Sequence, residues 1–395
     1  MRRAAAVAGV VLGAHAAWIG AYLAGGHGFA DFVKTGAAYA QHGRHHTAIR
    51  FEPGWDEPAD STRNLVGYDG QFSYYMAVDF VHAREHMDIA GYRYSRVLYP
   101  LTARVLALGS ESAVPFMLVL VNWLAIGAGT LALAVWLPRR GRSPWFALIY
   151  GLFPGLLLAL ALDLTEPLGY ALAAAGITIL DGRSRRRLMW AGLAFGLAGL
   201  ARQTTLVFPL GCAIAMGLGW GDQDGEARTK GPLPRWRRAG GLATLAVAPD
   251  LLWELVLRLW LEPAGSTPFL QPIPLAGFVA PGSWRWSAEL PQLGAVAAPT
   301  LACVAIAVLL LWRGERRAAP LLLLVNALLI VFGPTYGNYL SAGRNATGVV
   351  LAAVLCLPLL HAGSRRLRAV AWATAAAAFA ALPLALAYVL LDLHG

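Results

Sequence analysis

AVPFMLVLVNWLAIGAGTLALAVWL, residues 113–137, runs without a single charged side chain and is followed at once by Arg139, Arg140 and Arg142. A bilayer span takes about 20 predominantly apolar residues. This stretch therefore reads as a transmembrane helix whose basic end is held on one side. Similar runs lie at 4–24, 144–162, 164–180, 188–201, 204–220, 239–260, 293–312, 318–333, 346–361 and 369–391. Of 395 residues, 57% are hydrophobic and 14% charged, well short of the roughly one quarter that lets a soluble domain cover its surface. The expectation is an all-α, polytopic transmembrane helix bundle of about 11 spans, forming one integral-membrane domain over 1–395.

The net charge of +10 does not point to nucleic acid, because the basic residues sit in short clusters between apolar runs. Arg2 and Arg3 precede the first run. If the spans alternate, Arg139–Arg140–Arg142, Arg183 through Arg187, Arg235–Arg237–Arg238, Arg313–Arg316–Arg317 and Arg365–Arg366–Arg368 all share their side. Positive loops stay in the cytoplasm, which predicts a multi-pass protein of the inner (plasma) membrane with a cytoplasmic N-terminus. The first run also fits a cleaved signal peptide, but its apolar stretch is long for one, and a retained helix is expected. The abundance of Ala, Gly and Arg suits a GC-rich bacterial genome. Cys212, Cys303 and Cys356 all fall in apolar runs, as buried thiols rather than a disulfide framework or zinc site.

This topology leaves one large extracytoplasmic loop, 25–112, and two smaller ones, 262–292 and 334–345. Segments 68–80 and 93–108 in the large loop read as membrane-parallel helices. In the second, Val97, Leu98, Leu101, Val105 and Leu108 share a helical face beside Arg93, Arg96 and Arg104, the pattern of an interfacial helix. An ordinary helix packed on the bundle has the same pattern.

The densest polar motif of the large loop is Tyr68-Asp69-Gly70-Gln71-Phe72, where a carboxylate at a helix start is either a general base or an N-cap. Arg93 and Arg96, interleaved with Tyr92, Tyr94 and Tyr99, suit a lipid phosphate and a sugar ring, or plain interfacial anchoring. Asp163 and Glu166 lie between two apolar runs, where carboxylates are costly and mark function, unless Thr165, Glu166 and Pro167 simply start a helix. Arg202 and Arg344 break the positive-inside pattern. Each needs an anion nearby, and for Arg202 that is Asp163, Glu166 or a substrate phosphate. His42, His45 and His46, like Asp56, Glu57 and Asp60, read as a solvated loop, and no metal site is expected.

These features together resemble the GT-C superfamily of membrane glycosyltransferases, which have many spans and an essential acid in a large first outer loop. The likeness rests on Tyr68-Asp69-Gly70-Gln71-Phe72 with Ala77, on Thr165-Glu166-Pro167-Leu168 and on Arg202-Gln203-Thr204. It resembles most the mannosyltransferases of the GPI type and their bacterial relatives. The resemblance implies an enzyme of the cell envelope that takes a sugar from a polyprenyl-phosphate donor. It passes the sugar, with inversion, to a lipid or glycan acceptor on the extracytoplasmic face. Asp69 would be the base, and Tyr68, Gln71, Arg93, Arg96, Asp163, Glu166, Arg202 and Arg344 would bind substrate. No cofactor or metal is required. The superfamily's acid usually follows the first span closely, which keeps Asp31 as a competitor for the base. A transporter or flippase of a lipid-linked saccharide is the rival reading. It is disfavoured by the lack of an internal repeat and by polar residues concentrated on one face.

Overall fold

The structure is a computed structural model that describes residues 1–40, 66–182, 184, 186–220, 234–261, 270–278, 290–334, 336, 339–362, 365–380, 382–383 and 385–386. Every regular element among these residues is helical. In chain order the helices used below are α1 (Arg2–Ala24), α2 (Gly70–Val78), α3 (Ala90–Tyr94), α4 (Leu98–Leu106), α5 (Val114–Arg139), α6 (Leu148–Gly151), α7 (Pro154–Ala161) and α8 (Glu166–Leu180). They continue with α9 (Arg187–Ala201), α10 (Val207–Gly217), α11 (Arg235–Trp260), α12 (Ala298–Trp312), α13 (Ala318–Val331), α14 (Tyr339–Asn345), α15 (Thr347–Ala362) and α16 (Arg365–Phe379).

Four helical stretches among the described residues are long and apolar enough to cross a membrane: Arg2–Ala24, Glu111–Arg139, Leu290–Trp312 and Tyr339–Leu360. The pair Pro144–Gly151 and Pro154–Ala161, bent by 48°, makes a fifth if taken as one broken span. The expected count of about 11 spans is thus not reached by full-length helices. Several apolar runs instead form shorter ones: α8 and α9 have 15 residues each and α13 has 14. Proline marks several of the starts, at Pro154, Pro167 and Pro299, where its missing N–H costs nothing and its fixed φ suits the first turn.

Helix α8 is central, packed between α5 and α9; α9 in turn packs on α11, α1 on α5, and α12 and α15 on α13. Two glycines set how the polar end of the bundle closes. A Cβ on Gly70 would lie 2.2 Å from the Leu162 carbonyl oxygen, so only glycine lets the start of α2 rest on the α7–α8 turn. A Cβ on Gly155 would lie 2.3 Å from the Gly343 carbonyl oxygen, and this contact seats α14 against α7.

The helix expected over 68–80 is α2, and Gly70 through Ala77, including the polar Gln71 and Ser73, are all buried within the protein. Its Phe72, Tyr74 and Tyr75 form a second core with Tyr94, Tyr99 and Leu257. The helix expected over 93–108 is split, ending as α3 at Tyr94 and resuming as α4 at Leu98. Arg104 donates to the Ala77 and Val78 carbonyl oxygens at 2.9 and 2.5 Å, closing the C-terminus of α2. Only the far end of α4 keeps the interfacial character, with Val105, Leu106 and Leu108 exposed. The three cysteines are buried free thiols.

Candidate functional site

Asp69 stands at the N-cap position of α2, yet its side chain makes no cap hydrogen bond. The carboxylate turns to two guanidinium groups from opposite ends of the chain. Arg93 Nη1, on α3, donates to Asp69 Oδ1 at 2.9 Å, and Arg344 Nη2, on α14, donates to Oδ2 at 2.7 Å. Each arginine is braced by a ring and a second acid. Arg93 lies 4.1 Å over the Phe72 ring and is gripped by Asp88 through Nε at 2.8 Å and Nη2 at 2.7 Å. Arg344 lies 5.3 Å over Tyr68, with Nη1 3.5 Å from Glu166 Oε1.

Glu166 begins α8 and is fully buried. Its carboxylate gains from the helix N-terminus and from Arg202, whose Nη1 is 3.0 Å from Oε1. Of the anions expected beside Arg202, Glu166 is thus the one in place. That approach is an ion contact without hydrogen-bond alignment: Glu166 Oε1 and Oε2, Arg202 Nε and Nη1, and Arg344 Nε are all buried with no hydrogen-bond partner. Buried polar atoms are normally satisfied, so several of the strongest donors and acceptors in the molecule converge here with capacity unspent. Arg202 Nη2 does donate to Asn345 Oδ1. Arg96 donates to the Tyr92 hydroxyl and lies 4.4 Å over that ring, with no carboxylate in ion-pair reach among the described residues.

The electrostatics follow from these partners. Burial opposes ionisation of Asp69, but Arg344, Arg93 and Arg96 outweigh it and hold the carboxyl well below its usual range. Arg96 is shifted the other way: burial lowers its proton affinity, only partly offset by Tyr92, Asp69 and Glu166. Tyr68 is pushed up to about 12, chiefly by burial.

The structure thus brings together Tyr68, Asp69, Arg93, Arg96, Glu166, Arg202 and Arg344. It sets two expected residues apart. Asp163, in the left-handed region at φ 48°, accepts a hydrogen bond from the Tyr99 hydroxyl at 3.4 Å in a separate buried network with Asn122. Gln71 spends its amide on backbone, accepting from Gly36 N at 2.9 Å and donating to the Val66 carbonyl at 2.8 Å. Asp31 accepts from Gly28 N at 2.6 Å, with His27 as its ion contact at 3.7 Å. The His42, His45 and His46 group and Asp56, Glu57 and Asp60 lie outside the described residues. Among the described residues no three His, Cys, Asp or Glu side chains gather as metal ligands.

Sequence reading passed over Asp88, which fixes Arg93; its five-residue offset from Arg93 was the available signal. The space between these groups is small. A cavity of about 20 Å³ is lined by Asp69, Ser73, Arg93, Arg96, Glu166 and Arg344 among others, enough for one water. No protein-family model, curated protein or solved structure matches the chain.

Proposed function

We propose that the chain is a membrane glycosyltransferase of the GT-C kind. It takes a sugar from a polyprenyl-phosphate donor and passes it, with inversion, to a lipid or glycan hydroxyl on the extracytoplasmic side of the inner membrane. The finer topology of about 11 spans, with the N-terminus cytoplasmic, belongs to the same proposal. One observation carries it: a single carboxylate, Asp69, is held among Arg93, Arg96 and Arg344, with Arg202 and buried Glu166 behind. Such an arrangement supplies both a proton acceptor and the positive charge that a departing phosphate needs.

In the reaction an acceptor oxygen attacks the anomeric carbon, Asp69 takes the hydroxyl proton, and the carbon–oxygen bond to phosphate breaks. The electron pair leaves on the polyprenyl phosphate, where the guanidinium groups meet it. Asp69 later returns its proton to water. Clamped as it is, the carboxylate is a weak base. A donor phosphate entering the cluster competes with Asp69 for Arg93 and Arg344 and repels its charge, and both effects raise its basicity. Arg96, without a carboxylate of its own, is the first contact for that phosphate. The transporter reading gains no observation of its own.

The test is transfer of radiolabelled sugar from a polyprenyl-phosphate donor to a membrane acceptor fraction, with Asp69→Asn beside the parent. A general base typically contributes 10²–10⁴-fold, so activity should fall at least about a hundredfold while donor binding survives. Retained transfer in Asp69→Asn removes the base, and loss in Asp31→Asn instead moves it. No transfer by the parent, with lipid-linked saccharide crossing the membrane, replaces the enzyme by a transporter.

A further inference from the structure

Helices α2 and α8 both begin at the small cavity beside Asp69, and neither uses its first side chain as a cap. Asp69 holds the N-cap position of α2 and Thr165 that of α8, and neither makes a cap hydrogen bond, although Asp and Thr are residues that commonly do. Asp69 is held by its arginines instead, but Thr165 is not held at all. It is 6% exposed, and its Oγ1 is buried without any hydrogen-bond partner. Thr165 and Asp69 line the same space of about 20 Å³. Buried hydroxyls are normally satisfied, so Thr165 calls for a polar partner that enters this space from outside the chain.

The rest of the lining says what that partner is. Arg93, Arg96, Arg344 and Glu166 supply the charge, and the arginines answer a donor phosphate. Phe72, Ser73 and Met76 follow Asp69 at three, four and seven residues, which puts them on its side of α2. That side offers one hydroxyl, at Ser73, between a phenyl ring and a thioether. Ser73 and Thr165 are neutral and suit a neutral polar group, and a space of this size admits one oxygen atom rather than a sugar ring.

We infer that this cavity seats the attacking hydroxyl of the acceptor, and that the hydroxyl is a primary one, –CH2OH. The inference rests on the glycosyltransferase reading with Asp69 as base. An alcohol oxygen seated there donates its hydrogen to Asp69, accepts one from Thr165 or Ser73, and keeps its second lone pair for the anomeric carbon. The new carbon–oxygen bond forms as the proton passes to Asp69 and the bond to phosphate breaks with its electron pair. A primary alcohol brings a single methylene past Phe72 and Met76. A ring hydroxyl brings a carbon with two further carbons attached, for which the space has no room. Thr165 and Ser73 are thus substrate-binding residues, and Met76 sets the size limit.

The first test needs no variant. The radiolabelled product formed from a polyprenyl-phosphate sugar and a membrane acceptor fraction is permethylated and hydrolysed, and the acceptor carbon that carried the new bond is identified. A primary carbon is expected. Any other carbon overturns the inference, while the glycosyltransferase reading survives if Asp69→Asn abolishes that same transfer. No transfer by the parent protein overturns both. The second test uses Thr165→Val. It should raise the amount of acceptor fraction needed for half-maximal rate about two- to tenfold, the worth of one neutral hydrogen bond, and leave the donor KM unchanged. Thr165→Ser should restore the parent value. An equal rise in the donor KM, or no change in either constant, would make Thr165 a packing residue and remove it from the seat. Met76→Ala should let ring hydroxyls in, seen as new ring-carbon linkages in the labelled product; an unchanged product overturns the size limit.

Discussion

The two ends of α8 use the same residue types to opposite effect. At Glu166 the guanidinium groups come from distant parts of the chain, are matched by Asp69, Asp88 and Glu166, and close on about 20 Å³. At Asp181 they come largely from the turns that start neighbouring helices and, with one carboxylate among the described residues, line a cavity of about 210 Å³. Pairing lets Arg93, Arg202 and Arg344 be buried, because removing paired ions from water is far less costly than removing unpaired ones, while Arg96 is held by Tyr92. The first end is thus closed around paired charge, and the second holds the larger space.

The comparison breaks most sharply on the acids themselves. Glu166→Gln strips the buried partner from Arg202 and weakens the hold on Arg344, and should cost about 3–5 kcal/mol. Asp181→Asn removes a carboxylate that is 12% exposed but paired with an Arg140 that is 30% exposed to water, and should cost less, about 1 kcal/mol. Unfolding of both variants in the same detergent checks this; similar losses would mean the two ends are not differently built. A smaller effect is expected from Gly155→Ala. Its new methyl meets the Gly343 carbonyl, α14 must shift, and about 1–3 kcal/mol should be lost, with weaker donor binding through displaced Arg344. An unchanged midpoint and unchanged donor binding would show that α14 is free to move.

The smallest effect is a pH dependence expected to be flat. The folded Asp69 carboxyl is held below its unfolded value of about 3.9. Its contribution to stability is therefore fully present above that value and is lost only as pH falls through the folded one. The stability difference between parent and Asp69→Asn should be constant from about pH 5 to pH 8 and shrink only below about pH 4. A difference that changes near neutrality would mean the arginines do not clamp Asp69 in solution.

What the sequence told follows the same division. Arg202 and Arg344 stood out because they violate a charge rule that the other clusters obey, and a violation is informative without any structure. Asp69 stood out beside Gly70, whose lack of a side chain has a backbone contact as its reason. Asp163 and Glu166 could not be told apart, being both acids in one turn. What separates them is the left-handed backbone at Asp163, which sends one carboxylate to Tyr99 and leaves the other to the arginines. The backbone bonds of Gln71 are illegible for a similar reason, since an amide bonding to backbone leaves no trace in composition. The burial of α2 is not legible in its composition, because Gln71 and Ser73 sit among its aromatics and are buried with them. The arginine-lined cavity was hidden because each of its residues obeys the positive-inside pattern and none is unusual alone.

The shortness of α8, α9 and the Gln203–Gly217 helix has a consequence for the lipid around them. Fifteen residues reach about 22 Å, against a hydrocarbon layer of about 30 Å. Such a mismatch is relieved by thinning the bilayer beside the short helices or by sinking one polar end below its surface. Under the proposed topology, either relief would bring the Asp69 cluster nearer the acyl chains than a full-length span would. The proposed donor, with its phosphate just above its hydrocarbon tail, would then reach these arginines by diffusing sideways in its own leaflet, without being lifted out of it.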